Sequence, residues 1–199
     1  MLARLTQVRW PEWRLPIAIG VALLAIQASA PILAWRYERN AVLEHEWWRL
    51  LTGHLVHADA AHLGWNLLGL ALVWWLFANQ YTIAAWIAIL FVSTLAIDVG
   101  FLVLMPDLEW YVGFSGVLHG LMAAGLLAWL VRTRDPLTWL VAALFAFKLA
   151  WEHAVGPVSL VARTMSMPVI HEAHTFGAIG GLIAGAILLA RRPRNVPSL

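Results

Sequence analysis

Six long apolar runs, separated by short polar or Gly/Pro-bearing stretches, set the pattern of this chain. The first covers 15–35 and follows a segment carrying Arg4, Arg9 and Arg14. It can be read as a signal peptide with Ala28-Ser29-Ala30 as the cleavage site. Pro31 would then follow the cut, and the run is long, so we read a retained helix. Residues 36–60 form the longest polar stretch, whose tryptophans and charges suit a membrane interface. The second span covers 60–78, and Asn79-Gln80 joins it to the third, 81–104, which holds Asp98. A turn at 105–109 leads to the fourth span, 115–131. The fifth, 137–153, and the sixth, 170–190, are separated by a loop over 154–169 containing Gly156, Pro157 and Pro168. Runs of about 20 apolar residues are long enough to cross a bilayer as helices. The pattern predicts an all-α membrane protein, a six-transmembrane-helix bundle forming a single domain over 1–199.

Composition strengthens that reading. Of 199 residues, 62% are hydrophobic and 12% charged, with 13 Trp; soluble domains carry ~25% charged residues. The net charge is +2, and the arginines sit at span ends rather than in a run suited to nucleic acid. No cysteine is present, which excludes a disulfide framework, a thiolate nucleophile and cysteine metal ligands. With a cytoplasmic N-terminus, the inner side collects Arg4, Arg9, Arg14, Arg132, Arg134, Arg191, Arg192 and Arg194. The outer side keeps only Arg36, Arg39, Arg49 and Arg163. Basic residues favour the cytoplasmic side, so both termini are expected there. The second, fourth and sixth spans then start on the outer side, which puts His62, Ser115 and His174 at similar depth.

Candidate chemistry lies at those three starts. Gly113-Phe114-Ser115-Gly116 sets a serine between glycines where a polar loop becomes an apolar helix. Free N–H groups and the positive helix end there favour a developing oxyanion, and Gly113 and Gly116 admit a substrate backbone. The same residues also suit a serine N-cap with glycines for helix packing. His62 and Asn66, spaced i,i+4, share one face and should point into the bundle. Gly177, Gly181 and Gly185 form a small-residue stripe on the sixth span, matched by Gly116 and Gly120 on the fourth. His174 lies one turn from Gly177, which makes it a candidate general base for Ser115. His119, four residues after Ser115, can also reach back to it. Spacing leaves both open. Lys148 and Glu152 are i,i+4 and fit a structural pair, while no partner is evident for Asp98 or His153. His54, His57 and His62 suggest a metal site without supporting carboxylates, and His171-Glu172-Ala173-His174 lacks H-E-x-x-H spacing.

In order along the chain stand Trp48-Arg49, His57, His62 with Asn66, Gly113-Phe114-Ser115-Gly116 and Ala173-His174-Thr-Phe-Gly177-Ala-Ile-Gly-Gly181. The chain thereby resembles the rhomboid intramembrane serine proteases. The wording around Trp48–His57 and Trp110–Gly120 is similar to the rhombosortase branch, a compact six-helix bacterial form. That branch is thought to cleave surface proteins bearing a C-terminal tail of a Gly-Gly motif, a transmembrane helix and a basic cluster. The resemblance implies Ser115 as nucleophile and His174 as base, a dyad with no acid. It implies oxyanion donors at His62, Asn66 and the Ser115 N–H, with His119 a branch residue of unassigned role. It also implies a cavity open to the outer side and location in a bacterial inner membrane; the 154–169 loop, with Gly156, Pro157 and Pro168, is the expected mobile cap over such a cavity. The expected partners are the lipid bilayer and a membrane-anchored substrate, with no nucleic acid and no cofactor or metal. Two other classes compete: an inactive rhomboid-like protein binding transmembrane clients, which usually lacks the serine or the last histidine, and a multi-histidine haem or metal binder.

Overall fold

The computed structural model describes residues 13–133, 135–157, 164 and 167–191. Arg4, Arg9, Arg134, Arg163, Arg192 and Arg194, and residues 158–163 and 165–166 of the expected cap, lie outside the described residues. The elements are α1 (Arg14–Ser29), α2 (Ile32–Trp35), β1 (Tyr37–Glu38), α3 (Arg39–Leu43), α4 (Trp48–Thr52), α5 (Ala60–Phe77) and α6 (Ile83–Leu104). They continue with β2 (Trp110–Tyr111), α7 (Ser115–Thr133), α8 (Pro136–Ala154) and α9 (Glu172–Ala190). A 3-10 turn at Ala78–Gln80 follows α5. By length and composition, four described helices can cross a membrane: Ala60–Gln80, Ile83–Leu104, Ser115–Thr133 and Glu172–Ala190. At 16 residues α1 is shorter, and α8 carries Lys148, Glu152 and His153.

Helix starts follow from local chemistry. Asp59 accepts a bond from His62 N at 2.7 Å and caps α5, and Thr82 accepts from Ala85 N to cap α6. Asp135 accepts from Leu137 N at the head of α8, where Pro136 sits at a position that needs no donor. The first apolar run does not form one helix to Trp35. It stops at Ser29, because Pro31 cannot continue the hydrogen-bond ladder and restricts the residue before it.

The 36–60 stretch is not an open loop. Tyr37 and Glu38 pair antiparallel with Tyr111 and Trp110, tying it to the strand just before Ser115. The buried Arg49 donates to Glu46 Oε2 at 2.5 Å and to the carbonyls of Leu33 and Arg36 at 2.9 and 3.0 Å. One guanidinium thus ties the carbonyls of Leu33 and Arg36 to the turn at Glu46.

The core centres on α7, whose apolar stretch is 61% buried against 39–44% in the other three spanning helices. Phe77, Trp74, Trp86, Phe101 and Phe114 fill the space around it. Glycines set how closely helices approach. A Cβ on Gly177 would strike Gly116 O, and one on Gly181 would strike Gly120 O, so α9 and α7 meet backbone to backbone. By contrast, α8 buries only Thr138 and Glu152.

Candidate active site

Ser115 opens α7 because the residues before it force a turn. Gly113 holds φ +122°, and its N–H donates to Gly53 O at 3.0 Å. Tyr111 Oη donates to Gly113 O at 2.7 Å; burial pushes its phenol pKa up, so it stays a donor. The His62 ring, at the head of α5, lies directly over Gly113, where a Cβ would come within 2.6 Å of Nε2 and Cε1. Asn66, one turn further, donates through Nδ2 to His62 O at 3.0 Å. Both side chains are buried and line the same cavity as Ser115.

The α7–α9 seam places His174 opposite the serine. His174 Nε2 lies 3.0 Å from Ser115 Oγ. His119 turns away from the hydroxyl: its Nδ1 is 2.7 Å from Ser115 O, to which only an N–H can donate. Its ring stacks on His174, with centroids 4.0 Å apart and planes at 14°. Gly120, Gly177 and Gly181 lie along the seam, where they meet backbone of the facing helix.

Two residues read from sequence as a self-contained pair belong to this cluster. Lys148 does bond Glu152, at 2.8 Å. However, Glu152 Oε2 also lies 2.9 Å from His174 Nδ1, and Lys148 Nζ lies 2.5 Å from His119 Nε2 and 3.2 Å from His174 Nδ1. The expected dyad without an acid therefore has a carboxylate behind its histidine. The sequence carried a signal for this, since an ionisable residue inside an apolar helix marks a functional site by default. The i,i+4 spacing hid it by supplying a sufficient local partner.

His119, Glu152 and His174 also bring three potential metal-ligand atoms within 4.8 Å of one another. The Lys148 ammonium already stands among those atoms, so a cation occupies the centre of the group. The other unplaced polar residues have partners: Asp98 Oδ1 is 3.1 Å from His54 Nε2, and His153 Nε2 is 2.7 Å from Thr175 Oγ1. His57 is fully buried against His62, with ring centroids 4.9 Å apart. Burial first, and the neighbouring His62 second, push its pKa down to about 3. Neither of its ring nitrogens has a hydrogen-bond partner among the described residues.

The serine, both active-cluster histidines, Lys148 and Glu152 face a cavity of about 530 Å³. Its walls are otherwise apolar, built by Trp65 and Leu72 of α5, Met122 of α7 and Leu144 and Phe145 of α8, with Pro168 and Ile170 at the head of α9. Such a chamber suits an apolar chain segment brought to a small polar centre. A family model, the Rhomboid domain, matches residues 44–191, a span that includes every residue of that centre. The chain is a multi-pass membrane protein belonging to the rhomboid family.

Proposed function

We propose that this chain is an intramembrane serine endopeptidase in which Ser115 is the nucleophile and His174 the general base. The observation that carries the reading is the 3.0 Å approach of His174 Nε2 to Ser115 Oγ at the wall of the cavity. Ser115 Oγ attacks the scissile carbonyl carbon as its proton passes to His174 Nε2. The carbonyl oxygen becomes an oxyanion, received by the Ser115 N–H at the helix start and by His62 and Asn66. His62 Nδ1 is buried and unpartnered among the described residues, so the ring proton belongs on Nε2, the side able to serve an oxyanion. The C–N bond breaks, and the leaving nitrogen takes the proton from His174. Water then attacks the acyl group, giving a proton to His174, and Ser115 Oγ regains it as it leaves. His119 is held to the Ser115 carbonyl and does not serve as the base.

The substrate class is a membrane-anchored protein whose transmembrane segment reaches the cavity through the bilayer. The wording around Trp48–His57 and Trp110–Gly120 supports the rhombosortase branch. The substrates would then be bacterial surface proteins with a Gly-Gly, transmembrane-helix and basic-cluster tail. A helical peptide bond must unwind before attack, and each Gly disfavours helix by about 1 kcal/mol relative to Ala. The basic-residue distribution supports six crossings of a bacterial inner membrane, both termini cytoplasmic, and a site open to the outer side.

The test is fluorophosphonate labelling of the purified chain, with cleavage of a synthetic peptide carrying such a tail. Ser115→Ala and His174→Ala should lose both activities while keeping wild-type thermal stability in detergent. His119→Ala should retain part of each. Label on another serine, or full cleavage by Ser115→Ala, overturns the protease reading. Labelling of Ser115 with no cleavage of the tail overturns only the substrate class.

A further inference from the structure

The rhomboid mechanism as usually drawn ends at a histidine, but this chain places two more charged groups behind it. We infer that Glu152 is a positioning residue that selects the productive tautomer of His174, and that Lys148 is held off the same nitrogen by His119. The inference rests on the serine protease reading above.

The argument is one of proton bookkeeping. To accept the serine proton at Nε2, His174 must carry its resting proton on Nδ1. Two groups compete at that nitrogen: the Glu152 carboxylate at 2.9 Å and the Lys148 ammonium at 3.2 Å. A carboxylate accepts an N–H, whereas an ammonium needs a bare lone pair. They therefore select opposite tautomers. Lys148 favours a proton on Nε2, which would point an N–H at Ser115 Oγ and leave no base. His119 decides the contest. Its Nδ1–H is committed to Ser115 O, so its Nε2 is a lone pair, and Lys148 Nζ lies 2.5 Å from it. The ammonium's bond to Glu152 at 2.8 Å takes a second of its three N–H groups, so its two shorter contacts both lie away from His174 Nδ1, which is 3.2 Å off. The carboxylate then receives the Nδ1–H and faces the imidazolium when Nε2 takes the serine proton. The geometry supports this beyond a chance contact, since Glu152 is one of only two residues that α8 buries. Both the His174 and Glu152 side chains are more than nine-tenths buried. Among the described residues the Glu152 carboxylate bonds only His174 and Lys148, and a charge buried in this way is costly to keep.

The experiment uses the full chain in detergent and the rate of fluorophosphonate labelling, which needs no knowledge of the natural substrate. Maximal labelling rate is separated from probe affinity by varying probe concentration. Glu152→Ala should lower the maximal rate by about 100-fold or more, as loss of a functioning base does, with probe affinity unchanged. In that variant the ammonium loses its carboxylate partner, no acceptor competes for Nδ1, and only His119 holds Lys148 off it. The double variant Glu152→Ala/Lys148→Met should therefore label faster than Glu152→Ala alone, which loss of packing cannot produce. Lys148→Met alone should cost less than Glu152→Ala. Glu152→Gln keeps the volume and an acceptor oxygen, and should fall between wild type and Glu152→Ala. Where Glu152→Ala unfolds, Glu152→Gln and the double variant carry the comparison. Wild-type labelling by Glu152→Ala or Glu152→Gln, or a double variant no faster than the single, overturns the inference and leaves Ser115 and His174 standing. Absence of label on Ser115 in the wild type overturns the protease reading and this inference together.

Discussion

Gly113 holds two constraints at one position. Its φ of +122° is one that side-chain-bearing residues rarely adopt, and a Cβ there would come within 2.6 Å of the His62 ring. Gly113→Ala should cost about 1–3 kcal/mol of stability from backbone strain alone. It should also lower the labelling rate of Ser115, because the displaced ring lines the same cavity as the hydroxyl. Adding His62→Ala would remove the collision but not the strain, so a thermal shift that recovers only in part in the double variant checks the division. Burial makes a second residue speak through pH. His57 binds a proton near pH 6.5 when unfolded and only near about 3 when folded. Between those values the unfolded chain holds one more proton, so stability is full above about pH 6.5 and falls as pH drops towards 3. The slope is about 1.4 kcal/mol per pH unit. His57→Leu should flatten the acid side of a thermal-stability profile; an unchanged slope would place the acid sensitivity elsewhere. At this scale the sequence singled out Ser115, His62, Asn66 and His174 as candidates through short spacings, and the four line one cavity. It concealed the bond between Glu152 and His174, which spans 22 residues and two helices. It concealed the partner of Asp98 for the same reason, since His54 lies 44 residues away.

Among the elements, the α7–α9 seam sets the distance between serine and histidine. Gly177 meets Gly116 O and Gly181 meets Gly120 O with no room for a methyl group. Gly177→Ala must push the helices apart at the level nearest His174, at a cost of about 1–3 kcal/mol for overpacking. Its loss of labelling should exceed its loss of thermal stability, since a shift of an ångström breaks the 3.0 Å approach. Gly64 on α5 is the control: it is exposed, and nothing lies within 4 Å of a Cβ placed there. Gly64→Ala should raise stability by about 0.5–1 kcal/mol and leave labelling unchanged. Equal effects of the two substitutions would mean that the seam does not govern the site. The seam was legible because small residues repeat every four positions. Four of the expected spans were legible from their apolar length. The helix capped by Asp59 starts at Ala60 as expected, while Thr82 and Asp135 set the starts of α6 and α8 at Ile83 and Pro136, within two residues of the expected positions. The break after Ser29 and the pairing of Tyr37 with Tyr111 were not legible: a proline was outweighed by an unbroken apolar run, and two-residue strands carry no periodicity.

Across the described residues, apolar side chains are turned outward in bands: Ile87, Phe91, Leu95 and Val99 on α6, Leu140 and Phe147 on α8, Ile179, Ile183 and Ile187 on α9. Lipid is the medium in which such bands are favourable. The proposed orientation is testable because the chain has no cysteine, so an introduced thiol stands alone. In spheroplasts, Asp107→Cys, exposed on the Ser115 side, should react with an impermeant maleimide, and Arg191→Cys, at the far end of α9, should react only after permeabilisation. The reverse pattern would invert the topology and face the cavity to the cytoplasm. One asymmetry of this architecture concerns timing. Helix α8, 19 residues long, buries only Thr138 and Glu152, yet it forms one wall of the cavity and also carries Lys148. A substrate helix pressing in against that wall would lift the carboxylate away from His174 as it passed. On the proposed chemistry, the site would be disarmed while its wall stands open and rearmed as α8 settles back, an interlock between admission and cutting.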